Sequence, residues 1–223
     1  MSEPEDLVVD AARHATVFIR ETWRRHYGHA PDEPVPLSAL TQRLDLLIAA
    51  ACGTSLPIRV ALAPARPTVL HRLFRAPTYP RHRQALPATN GHALWLPAHL
   101  GVCDPVQASR LYRAMALQQA FRALRGSAQA ILAQCEQPLV RDLALVLEAA
   151  AAEEAVARQF PGLIRALVEL RQLALAARPL PAHLAPARRP LELQVRELLE
   201  RDLDRDLRRT TPSVENSINE AKR

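Results

Sequence analysis

Lysine is almost missing from this chain: of its 29 basic residues only Lys222 is a lysine, and the rest are arginines. Nearly all positive charge therefore sits on planar, permanently ionised guanidinium groups, which favours forked contacts to carboxylate or phosphate over lysine chemistry. Aromatic residues make up only 4% of the sequence and there are only 6 glycines, a scarcity that argues against an all-β sandwich or barrel. The three cysteines, Cys52, Cys103 and Cys135, are odd in number and widely spaced, with no CxxC pair, and point to a reducing compartment. The most apolar run, residues 44–53, carries Asp45 and stops far short of the ~20 residues of a membrane helix, so no membrane span is expected. The opening MSEPEDLVVD is acidic where a secretory signal would be basic and then apolar, and a cytoplasmic location is expected. Phosphate-cradling GxxxxGK[ST], dinucleotide GxGxxG, the GxSxG elbow and HExxH are all absent, which removes several large enzyme classes.

What the chain does have is length and aliphatic side chains. Its 223 residues are 48% hydrophobic, enough to bury a substantial core. Apolar residues recur at helical spacing in residues 7–27, 40–52, 106–124, 128–134, 138–160, 161–177 and 190–208, with Gly53 as a natural stop for the second of these and proline at or near the first turn of three. Two short stretches, LPIRVALA at 56–63 and HALWL at 92–96, read as strands, paired as a hairpin flanking the core. The expected fold is mainly α, a helical bundle with a small β hairpin or short strands near those two stretches. Residues 1–177 form the expected helical module. RPLPAHLAPARRP, with four prolines, reads as a proline-rich linker over 178–190. A charged amphipathic helix follows over 191–209, carrying Glu197/Arg201 and Asp204/Arg208 at i, i+4 and packed loosely or separately mobile. The polar tail, 210–223, is expected to be disordered.

Charge is unevenly spread. Between Asp45 and Asp104 there is no acidic residue, while Arg59, Arg66, Arg72, Arg75, Arg81 and Arg83 all fall there, so this stretch alone equals the whole chain's net charge of +6. These six arginines are the candidate partner-binding residues, since a concentrated basic segment attracts an acidic protein surface or nucleic acid. Chemistry of other kinds is poorly supplied. His26 and His29 are the closest histidine pair and no carboxylate or cysteine nearby completes a ligand set, so no metal site is expected. Glu148, Glu153 and Glu154 have the spacing of an ordinary helix face, and carboxylates need burial or a like charge to become useful acids or bases. Cys103 reads as a small buried hydrophobe. PLSALTQRLDLL with Gly53 resembles the start of a helix-turn-helix, but the IRVALAPARP that follows looks extended where a recognition helix belongs. No catalytic residue and no cofactor are expected.

HALWLPAHLGVCDPVQASRLYRAMALQQA, residues 92–120, and LVRDLALVLEAAAAEEAVARQFPGL, residues 139–163, resemble the N-terminal helical region of the family of the nitric oxide reductase activation protein NorD and its Rubisco-activating relative CbbO. WRRHYG and LSALTQRLDLLIAAACGTSLPIRV are similar to the same family's opening. The resemblance implies an adaptor and not an enzyme, working with a hexameric MoxR-type AAA+ ATPase that activates a metalloenzyme target, nitric oxide reductase or Rubisco. It also implies a truncated relative or isolated N-terminal module, lacking the von Willebrand factor A domain with its DxSxS metal site. Glu148 holds the first position of the family's E-D-x-R cluster, while Ala149 and Ala151 stand where its Asp and Arg would be. An enzyme of unrecognised type and an arginine-rich nucleic-acid-binding protein are the alternative classes.

Overall fold

The computed structural model describes residues 33–62, 85–203 and 212–222. Seven α-helices and a three-stranded sheet make up these segments: α1 (Thr41–Cys52), β1 (Ile58–Ala61), β2 (Ala88–Thr89), β3 (Leu94–Pro97), α2 (Pro105–Leu124), α3 (Ser127–Gln134), α4 (Pro138–Gln159), α5 (Ile164–Ala176), α6 (Arg189–Glu200) and α7 (Val214–Lys222).

The central element is α2. Asp104 caps it, its carboxylate accepting from the Val106 and Gln107 amides at 3.2 and 3.0 Å, and Pro105 fills the first position, where an N–H would have no partner. Two apolar faces explain why this helix is buried around most of its circumference. Ala108, Tyr112, Met115, Ala116 and Ala120 face α1 and the sheet, in a core with Leu44, Ile48, Leu94 and Leu96. Leu111, Ala114 and Leu117 face Val156 and Ala157 of α4 and Ala166 and Leu167 of α5. Alanines at 108, 114, 116 and 120 let the neighbouring elements approach closely, and an edge-on Phe121–Phe160 contact, centroids 6.3 Å apart, joins the end of α2 to the end of α4.

The two expected strands do meet, but in a different topology. β1 runs parallel to β3, with Ile58 opposite Leu94 and Ala61 opposite Pro97, so these strands are not the two arms of one hairpin. The hairpin partner of β3 is β2, and the strand order is β1-β3-β2. Their turn is held by side chains: the Asn90 Oδ1 accepts from the His92 and Ala93 amides at 3.0 Å each, and Gln129 of α3 donates to the Asn90 carbonyl at 3.0 Å. Gly91 sits there at φ 90°, with the Gln129 side chain occupying the space a Cβ would need.

The C-terminal third departs most from expectation. The 161–177 helix begins as a 3-10 turn, Pro161–Leu163, before α5. The 178–190 segment is not a free linker: it folds into two 3-10 turns, Pro181–His183 and Pro186–Arg188, and its arginines are pinned at both ends, Arg178 to Glu192 and Arg188 to Asp142. The charged helix is tied to its surroundings by Glu192, which accepts from Arg178, and by the buried Val195. It ends at Glu200, and the Asp204/Arg208 pair lies outside the described residues. The expected disordered tail contains α7, whose Ile218 and Ala221 are buried against Ile131 and Cys135 of the α3 end and Ala144 of α4. Val214, Ile218 and Ala221 fall on one helical face, and packing that face outweighs the polar composition of the tail. The helix expected over 7–27 lies outside the described residues, as do His26 and His29. No described helix is long and apolar enough to cross a membrane.

Candidate interaction surface

Of the six arginines singled out by charge, the structure describes one. Arg59 is exposed on β1, in register with Trp95, and Arg66, Arg72, Arg75, Arg81 and Arg83 lie outside the described residues. Among the described residues the sheet is unfinished around Arg59. The Leu94 amide donates to the Pro57 carbonyl at 3.0 Å, which in this parallel register turns the backbone groups of Pro57, Arg59 and Ala61 toward β3. Those of Ile58 and Val60 then point away from β3, and β1 is an edge strand. Side chains alternate accordingly: Ile58 and Val60 share the face of the buried Leu94 and Leu96, and Arg59 shares the opposite face with Trp95. Val60 is nevertheless 51% exposed and Leu62, just beyond it, 87% exposed.

The carboxylates of α4 have a different use. Glu148 has no exposed surface, and the Arg125 guanidinium grips it with a fork, Nε and Nη2 donating to its two oxygens at 2.9 and 2.8 Å. The same Nη2 donates to the Pro212 carbonyl at 2.8 Å, leading into α7. Glu153 accepts from Arg171 of α5 at 2.8 Å, and Arg171 also donates to the Arg201 carbonyl. Glu154 pairs with Arg158 at 3.9 Å on the helix surface. On α6, Glu192 is buried and held by Arg178 at 2.8 and 2.6 Å and by Arg196 at 3.1 Å. Arg110 of α2 donates to Glu169 of α5 at 2.7 Å, and Gln107 donates to the other oxygen. These residues join helices.

Among the described residues the Nε atoms of Arg110 and Arg122 are buried without a partner, and Arg122 makes no ion pair. Its Nη1 donates to Gln119 at 3.1 Å, and burial pushes the guanidinium below its ordinary value while the nearby Glu148 charge pulls it back up. Tyr112 is wholly buried and donates to the Pro97 carbonyl at 2.9 Å, tying α2 to β3; burial pushes its phenol up to about 12. Cys103 is half-buried, and burial pushes the Cys52 thiol up. Among the described residues no group of three His, Cys, Asp or Glu side chains is arranged to hold a metal ion.

Sequence reasoning missed Arg125, Arg171, Arg178 and Glu192, whose partners lie 14 to 23 residues away. The one available signal was the acidic run of α4 within an arginine-rich chain. No protein-family model, no curated protein and no solved structure matches this chain.

Proposed function

We propose that this chain is a non-catalytic adaptor module that presents a basic surface to a MoxR-type AAA+ ATPase, to that ATPase's metalloenzyme target, nitric oxide reductase or Rubisco, or to both. One observation carries this reading: the buried carboxylates Glu148, Glu153 and Glu192 are each committed to arginine, whereas Arg59, in the acid-free stretch, is exposed with no carboxylate partner among the described residues. Charge that has no internal task is free for a partner. The resemblance of residues 92–120 and 139–163 to the NorD/CbbO family supplies the kind of partner.

The test is nucleotide-dependent co-purification of the chain with a MoxR-type ATPase. Replacing Arg72, Arg75, Arg81 and Arg83 by glutamine slows association and flattens its salt dependence while the fold stays intact. Unchanged association in a folded variant overturns the basic-surface part of the reading. Tight DNA binding at physiological salt, lost on the same substitutions, moves the chain to the nucleic-acid class, and the salt slope then counts the phosphates contacted.

A further inference from the structure

We propose that the open edge of β1 accepts an extended segment of a partner protein in which acidic and apolar residues alternate, adding a fourth strand to the sheet. The inference rests on the adaptor reading and specifies how its partner is held.

Three features converge on this edge. The backbone N–H and C=O groups of Ile58 and Val60 point away from β3 and no described residue pairs with them, so among the described residues β1 offers an unfilled hydrogen-bonding ladder. On the core face, Val60 stands opposite the fully buried Leu96 yet is 51% exposed, and Leu62, just beyond the strand, is 87% exposed, so the hydrophobic layer outruns the sheet on this side. An added strand would cover it with every second residue. On the opposite face stands Arg59, with Trp95 behind it, in a stretch that holds no acidic residue from 46 to 103. The remaining residues of the incoming strand face this cation, and a carboxylate there meets a guanidinium able to fork onto it. Main-chain pairing supplies affinity and alternate side chains supply selectivity, as in other strand-addition complexes.

The probe is a fluorescein-labelled octapeptide of alternating glutamate and valine, titrated into the full chain, with a lysine–valine octapeptide as control. Saturable binding of the first alone, with slowed exchange of the Ile58 and Val60 amides, is the expected result. Arg59→Glu weakens it about fivefold or more. Val60→Pro removes an outward N–H, a change edge strands tolerate, and weakens it about tenfold while thermal stability is kept. Should that variant unfold, Arg59→Glu alone decides. Equal binding of both peptides, or no binding, overturns the proposal. So does protection of the Ile58 and Val60 amides in the isolated monomer, which means the chain covers its own edge, or their protection through dimerisation, which makes a second copy the occupant. Any of these results accompanied by intact, nucleotide-dependent ATPase association removes the strand-addition proposal and leaves the adaptor function standing; lost association with intact peptide binding does the reverse.

Discussion

Replacing Glu148 by glutamine tests whether α4 is held by charge. The side chain keeps its volume, so no cavity forms, but one carboxylate oxygen becomes an amide NH2 facing the Arg125 fork, donor against donor. Breaking a buried ion pair costs about 3–5 kcal/mol, because the surviving charge stays desolvated. Arg125 is 18% exposed and keeps its bond to Pro212, so it can recruit some water, and the low end of that range, about 3 kcal/mol, applies. Arg122 adds to the loss, since Glu148 is the anion that offsets its burial. At roughly 2–4 °C per kcal/mol for a chain of this size, Tm should fall by about 6–12 °C. Urea unfolding of the parent, Glu148→Gln, Arg125→Gln and the double variant closes the cycle. The double variant should be less destabilised than the sum of the singles by more than about 1.5 kcal/mol. A coupling below about 0.5 kcal/mol, with unchanged m-values, would refute the clamp.

Ile218→Ala removes the main apolar anchor of α7, worth about 2 kcal/mol or more, and should raise the reaction rate of the buried Cys135 with a thiol reagent by over about tenfold; an unchanged rate by mass spectrometry would mean that α7 does not shield it. Gly53 ends α1 at φ 66° with open space where a Cβ would go, so Gly53→Ala should cost about 1 kcal/mol through backbone conformation alone, and no loss in chemical denaturation would contradict that. Tyr112→Phe leaves the Pro97 carbonyl unpaired and should cost about 1–2 kcal/mol, read from the same unfolding curves. The Tyr112 phenol, at about 12 in the fold and 10 unfolded, contributes stability that is complete below pH 10 and lost as pH rises toward 12, because the unfolded chain gives up its proton first. Ultraviolet difference titration should show one tyrosine ionising late, and a normal titration of every tyrosine would remove the effect.

How much of this was legible depends on how far apart the interacting residues lie. Helices α1 to α4 start and stop within a residue or so of where Pro105, Pro138 and Gly53 place them, because capping and backbone restriction are local. The β1–β3 pairing was not legible: both strands show in their alternation, but a parallel register across an intervening stretch leaves no mark in either. In the tail, Val214, Ile218 and Ala221 carry a helical stripe, yet serine, asparagine and glutamate around them give the composition of a solvated segment, and only the groove between α3 and α4 makes the stripe count. The ion pairs are the hardest case. Glu148 looks like any glutamate on a helix face until α2 brings Arg125 over it.

The near absence of lysine acquires a physical reason from these contacts. Arg125 spans both oxygens of Glu148 and the Pro212 carbonyl, Arg171 spans Glu153 and the Arg201 carbonyl, and Arg196 spans Glu192 and the Pro179 carbonyl. Each guanidinium fastens a carboxylate on one helix and, with a different N–H, a carbonyl where the chain is not helical and the acceptor has no ladder partner. A single ammonium is a point charge and cannot reach both in fixed directions. The C-terminal third, with its prolines and short 3-10 turns, is poor in regular hydrogen bonds, and such stitches tie a segment that reads as linker to α6 through Arg178 and to α4 through Arg188. Arginines at these positions are accounted for by folding. Arg59, exposed on the edge strand with neither a carboxylate nor a stray carbonyl to bind among the described residues, is not, and that contrast separates the arginines that build this protein from those, Arg59 among them, available to a partner.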